Sequence, residues 1–95
     1  MPPSPTLVLY RRAGCHLCDE ARAALDASLA ARAVAGLAAP PVEERDIDAD
    51  ADLQRRFMTA IPVVEVGDRR LELAISARQI RRFLESALAE EAAPA

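Results

Sequence analysis

The chain of 95 residues predicts an α/β fold, with a four-stranded mixed sheet flanked by helices in the order β-α-β-α-β-β-α. Three observations carry that expectation. Short runs of β-branched and other apolar residues alternate with stretches whose apolar positions recur every three or four residues. The long amphipathic stretch between the first two strands makes them a parallel crossover pair, because a tight turn cannot join parallel strands. The last two strands are separated only by Gly67-Asp68, a two-residue hairpin signal that makes them antiparallel.

Each element has its own warrant. Thr6 to Tyr10 is short, apolar and preceded by prolines, which reads as a buried strand. From about His16 to Arg32 the pattern is helical, with Leu17, Ala21, Ala24, Leu25, Ser28 and Leu29 on one stripe. Asp19 and Glu20 suit the positive end of that helix and Arg32 its negative end, and Gly36 marks its stop. Val42 to Ile47 has apolar ends and charged residues between them, the composition of an edge strand. Asp48-Ala49-Asp50 can cap a short helix in which Leu53 and Phe57 form an i, i+4 pair. Ile61 to Val66 is the third strand, opening with Pro62, and Arg69 to Leu73 returns as the fourth, with Leu71 and Leu73 alternating. Ser76 and Gln79 form a capping-box pair for a last helix with the stripe Ile80, Phe83, Leu84, Ala87 and Leu88.

Ninety-five residues suffice for one core and not for two. The expected organisation is a disordered N-terminus over 1–5, one domain over 6–89 and a frayed tail over 90–95. The chain is 52% hydrophobic but only 3% aromatic, so aliphatic residues must build the core. All twelve basic residues are arginines interleaved with acids, and the net charge is −3, which gives no nucleic-acid footprint. Met1-Pro2-Pro3-Ser4-Pro5 lacks the charged and apolar regions of a signal peptide, and no run approaches the roughly 18 apolar residues of a membrane span. The expectation is a cytoplasmic protein that does not engage membranes, in a compartment where a disulfide is transient and catalytic.

Cys15-His16-Leu17-Cys18, between the first strand and the first helix, carries the chemistry. Unpartnered N–H groups and the macrodipole at a helix start favour the thiolate, the reactive form of cysteine. A thiol with pKa about 8.5 is a few per cent ionised at pH 7, and one near 7 about half. Nucleophilicity falls with pKa at a slope of about 0.4–0.5, so the net gain in attack is only a few-fold. Leaving-group ability improves too, and the motif suits repeated exchange. Asp19 and Glu20 would oppose thiolate formation if close to Cys15. In this reading Cys15 is the attacking thiol and Cys18, one turn inside the helix, the resolving one.

Two other readings of the pair stand beside this one. Zn²⁺ usually takes four ligands, and Cys15, Cys18 and His16 are the only Cys or His in the chain. A structural staple closing so short a loop contributes roughly 2 kcal/mol. No resident metal or bound cofactor is expected.

The element order, the Cys-x-x-Cys and the proline opening the third strand together resemble the thioredoxin superfamily. More narrowly, the segment Leu9-Tyr10-Arg11-Arg12-Ala13-Gly14-Cys15-His16-Leu17-Cys18-Asp19-Glu20 is similar to the opening of small glutaredoxin-like proteins. The resemblance covers roughly residues 6–89. It implies a thioredoxin-like fold and thiol–disulfide oxidoreductase activity. Pro62 would be a cis-proline facing the dithiol, with Ile61 offering its N–H and C=O to a bound peptide or to glutathione. Arg12 would lie near the nucleophile and the glycine carboxylate of glutathione, and Arg55 or Arg56 could reach the same carboxylate. His16 is read as an exposed residue with no acid–base role.

The chain also departs from that family. His16-Leu17 stands where glutaredoxins usually have Pro-Tyr or Pro-Phe. The stretch Ala74-Ile75-Ser76-Ala77-Arg78 has neither the paired glycines nor the acids that hold the γ-glutamyl end of glutathione. The expected partners are a disulfide-containing protein or glutathione as co-substrate, met by a monomer. Two alternatives remain: a non-catalytic thioredoxin-like interaction module, and a Cys-x-x-Cys metal carrier of the copper-chaperone type. The second fits poorly, because such domains end in a strand.

Overall fold

A computed structural model describes residues 5–92. The elements are β1 (Leu7–Arg11), α1 (His16–Val34), β2 (Val42–Asp46), α2 (Ala51–Phe57), β3 (Val63–Val66), β4 (Arg69–Leu71) and α3 (Ala77–Ala92), with a 3-10 turn at Ile47–Ala49 before α2. The strands form a four-stranded sheet in the order β2-β1-β3-β4. β1 runs parallel to β2, with Arg11 opposite Asp46. It runs antiparallel to β3, with Tyr10 opposite Val63, and β3 is antiparallel to β4. This is the predicted mixed sheet, and β2 is indeed at its edge.

β1 is buried on both sides, which explains why its sequence is apolar without alternation. Leu7 and Leu9 join Val64 and Val66 under α1 and α3, against Leu25, Leu29, Ile80 and Leu84. Val8, Tyr10 and Val63 face the other way, against Ile47 and Phe57. Each Leu or Phe fully withdrawn from water contributes about 1.5–3 kcal/mol. Two such layers around one strand therefore hold the frame on which the dithiol sits.

The helix ends follow local chemistry. Asp50 caps α2, its carboxylate accepting from the N–H groups of Asp52 and Leu53. Ser76 Oγ accepts from Gln79 N–H at 3.3 Å at the start of α3. α1 stops at Gly36, whose φ of +76° suits glycine. There Leu37 N–H reaches Arg32 C=O at 2.8 Å and Gly36 N–H reaches Ala33 C=O at 3.0 Å, the paired bonds of a Schellman stop. The Arg32 side chain donates to Ala38 C=O at 2.6 Å and pins the following loop.

Several boundaries and faces differ from expectation. β1 runs Leu7–Arg11 rather than Thr6 to Tyr10, and β3 begins at Val63 rather than Ile61, because the cis Ile61–Pro62 bond bends the chain ahead of it. Leu17 is 46% exposed, and Cys18, fully buried, takes its place on the inward stripe with Ala21, Leu25 and Leu29. The 18-21-25-29 spacing also satisfies helical periodicity, so only the first position of the stripe changes, from 17 to 18. β2 ends at Asp46, and buried Ile47 begins the 3-10 turn. β4 ends at Leu71; Leu73 has φ +51° and is 50% exposed, while Ala74 is the buried residue. α3 continues to Ala92, beyond the last position of its apolar stripe. The expectations for residues 1–4 and 93–95 lie outside the described residues.

Candidate functional site

The C-terminal end of β1 and the start of β3 share one end of the sheet, because Tyr10 pairs with Val63. The loop leaving β1 leads to Cys15, and the bend entering β3 carries Ile61-Pro62. Gly14, at φ +74°, lets the chain reverse directly before Cys15, and Cys15 N–H donates to Arg12 C=O at 3.3 Å. Cys15 is the N-cap of α1 and keeps extended backbone angles, φ −86° and ψ 107°. Its Sγ accepts from Cys18 N–H at 3.1 Å.

Cys15 and Cys18 are joined as a disulfide, with Cα atoms 5.2 Å apart. The extended backbone of Cys15, ahead of the first helical residue, lets the two cysteines meet. Cys15 remains partly exposed, whereas Cys18 is fully buried. A bulky partner can therefore approach only the first sulfur. In a reduced pair, the N–H that now meets Cys15 Sγ would favour the thiolate there.

The Ile61–Pro62 peptide bond is cis, the isomer that the resemblance implies, and the Pro62 ring is buried. Residues 60–62 are tied to the segment after β4: Leu73 N–H donates to Ala60 C=O at 2.8 Å and Ala74 N–H to Pro62 C=O at 2.9 Å. Ile61 N–H donates to Phe57 C=O at 3.1 Å. That expected offer to a substrate is thus already taken within the chain, and the Ile61 carbonyl is the group to consider.

Charges around the dithiol are paired. Arg11 bridges Asp19 at 2.6 Å and Glu44 at 3.3 Å, and these contacts, led by the hydrogen bond to Asp19, raise its pKa. His16 Nε2 lies 3.5 Å from Glu20 Oε1, on a side chain that is 87% exposed. Both first-turn acids expected to oppose a thiolate therefore have cationic or polar partners. Arg12 grips both oxygens of Asp48, at 2.9 and 3.0 Å, and this contact raises its pKa. Arg55 and Arg56 pair with Asp52 at 3.5 and 3.9 Å, and Arg56 also lies over the Phe57 ring.

Arg11 and Asp48 escaped the sequence reading. Arg11 follows Tyr10 in the strand alternation and so shares the α1 side with Leu9, a parity readable in advance. The sequence places Asp48 in a capping run, but Asp46 and Asp50 do that capping. Its carboxylate is left to meet Arg12, because the Arg11–Asp46 register brings the two strand ends together.

The apolar residues Leu17, Met58, Leu73 and Ile75 are each about half exposed, at 46–56%. Ile75 also lines a shallow groove of about 370 Å³ with Glu20 and Ala24 of α1. Among the described residues no group of three or more His, Cys, Asp or Glu side chains could hold a metal ion. No helix among them is long and apolar enough to cross a membrane.

Residues 6–85 match the family model described as a glutaredoxin-like domain (DUF836). The chain belongs to this glutaredoxin-like family. Its solved relatives include the structural-genomics target protein XcR50 from X. campestris. The X-ray structure of that protein is 32% identical, covering 86% of this chain and 99% of that one at a TM-score of 0.67. Its solution structure is 33% identical at a TM-score of 0.65, over 86% of this chain and 95% of that one. The solution structure of protein Ne2328 from Nitrosomonas europaea is 29% identical, over 77% and 79% of the two chains, at a TM-score of 0.55. No curated protein matches the chain. The glutaredoxin-like protein has a thioredoxin-like fold, and its family and Cys15/Cys18 pair support a thioredoxin-like redox role.

Proposed function

We propose that this glutaredoxin-like protein is a thiol–disulfide oxidoreductase with Cys15 as nucleophile and Cys18 as resolving thiol. The Cys15 thiolate attacks one sulfur of a substrate disulfide, forming a mixed disulfide and expelling one substrate thiolate. Cys18, as thiolate, then attacks Cys15 Sγ, forms the Cys15–Cys18 disulfide and expels the second substrate thiolate. Two electrons pass to the substrate, and an external thiol reductant restores the pair.

The observation that carries this reading is the division of labour at the helix start. One sulfur is reachable and accepts a backbone N–H; the other is buried three residues on. The substrate would lie beside half-buried Ile61, on the bend that buried Pro62 sets, with the Ile61 carbonyl as acceptor, and Arg12 would have to leave Asp48 to take a substrate carboxylate. The reading has the protein act in the cytoplasm as a monomer on a protein disulfide or glutathione, with no bound cofactor.

Trapping tests it. Cys18→Ser, incubated with a cell extract, should accumulate mixed disulfides through Cys15 that a reductant releases. If Cys18→Ser traps nothing, or traps as little as Cys15→Ser, the catalytic reading fails and a non-catalytic module takes its place.

A further inference from the structure

Arg12 and Gln54 converge on one carboxylate, and that carboxylate belongs to the chain itself. Arg12 Nε and Nη2 hold Asp48 Oδ2 and Oδ1 at 2.9 and 3.0 Å, and Gln54 Nε2 holds Oδ1 at 3.2 Å. A planar fork on both oxygens with an amide alongside is the arrangement that recognises a free carboxylate. Arg12 is joined to the dithiol through the bond from Cys15 N–H to its carbonyl. Arg12 therefore belongs to the same turn as the attacking cysteine, three residues before it.

We propose that Asp48 fills the carboxylate site of the active centre and so selects against glutathione in favour of disulfides that bring no carboxylate to Arg12. The inference rests on the thiol–disulfide reading and adds its substrate preference. Asp48 is well placed to hold the site. Its backbone N–H is capped by Asp46 Oδ1 at 2.9 Å, and its neighbour Ile47 is fully buried. An occupant tethered in this way competes at a high effective concentration and loses little entropy on binding.

A glutathione carboxylate must displace Asp48 before it can use Arg12, whereas a neutral disulfide meets no such competitor. The flank formed by the segment after β4, which bonds to residues 60–62, gives glutathione no compensation. The segment after β4 presents half-exposed Leu73 and Ile75, and residues 74–78 contain no acid and no glycine. An apolar protein surface carrying a disulfide suits that flank better than a charged γ-glutamyl group.

The test compares two disulfides on the reduced full chain: glutathione disulfide and neutral bis(2-hydroxyethyl) disulfide. Initial rates of Cys15 mixed-disulfide formation are read by mass. The readout is the ratio of the two rates, which cancels any change in the intrinsic reactivity of Cys15. Asp48→Asn should raise the glutathione-to-neutral ratio about three- to five-fold, the scale of an exposed charge pair. Adding Arg12→Gln should remove that gain. Asp48 is 42% exposed, so the substitution leaves no buried group without a partner. An unchanged ratio in Asp48→Asn, or a gain that survives loss of Arg12, overturns the inference while leaving the thiol–disulfide reading intact. Failure of the unsubstituted protein to react with either disulfide overturns that reading as well.

Discussion

Cys18 N–H points at Cys15 Sγ across 3.1 Å, so the residue assigned to resolve a mixed disulfide also supports the sulfur that forms it. Burial makes the pair unequal, since Cys18 is fully enclosed and Cys15 is not. Reduced protein should therefore be alkylated by iodoacetamide at Cys15 first, about ten-fold faster than at Cys18. Peptide mapping by mass reads both rates in one experiment. Equal rates would contradict the assignment of roles.

Arg11 bears on the same sulfur indirectly. It neutralises Asp19 at 2.6 Å, one helical turn after Cys15. Arg11→Gln leaves that carboxylate unopposed and should slow Cys15 alkylation at pH 7 about two-fold, as expected of an exposed charge. Asp19→Asn in the same protein should restore the rate. Loss without restoration would mean that Arg11 matters only to the fold.

The frame of this site was legible in the sequence because it rests on periodicity and punctuation. Gly67-Asp68 announced the hairpin, Gly36 the helix stop, and charged Glu43 to Asp46 the sheet edge. What escaped depended on contacts between distant segments. Leu17 and Cys18 both fit a helical stripe, and only the packing of α1 against the sheet chooses between them. Leu73 continued the strand alternation on paper, but its backbone turns left-handed where Ala74 bonds to Pro62. Arg12, expected beside a substrate carboxylate, pairs with Asp48 from a distant segment, a contact that only the tertiary fold brings about.

Tyr10 offers a pH test free of overlapping signals, because it is the only tyrosine and there is no tryptophan. Its pKa is raised above the ordinary value near 10 by burial and then by its hydrogen bond to Glu65, 3.0 Å away. A raised folded-state value means that the protonated phenol stabilises the fold. That contribution is complete below the unfolded value and is lost as pH rises through the folded one. Tyrosinate absorbance should appear above pH 10, together with a fall in stability that Tyr10→Phe reduces. Titration at the ordinary value, with the same alkaline fall in both proteins, would contradict this.

Core and turn substitutions should separate packing from conformation. Leu9→Ala removes a fully buried side chain from the central strand and should cost about 2–5 kcal/mol in denaturant unfolding. Gly36→Ala meets no atom within 4 Å, so its cost should be conformational alone, about 1–2 kcal/mol. Equal losses at the two sites would argue against the buried placement of β1.

An equilibrium titration of Cys15 and Cys18 in glutathione redox buffers decides whether the pair works as a reversible dithiol. Thiol labelling read by intact mass should show a single two-electron transition between the dithiol and the Cys15–Cys18 disulfide, at about −180 to −280 mV. If the chain forms no intramolecular disulfide across that range, the dithiol mechanism falls. Monothiol chemistry, metal binding or a non-catalytic role would then lead.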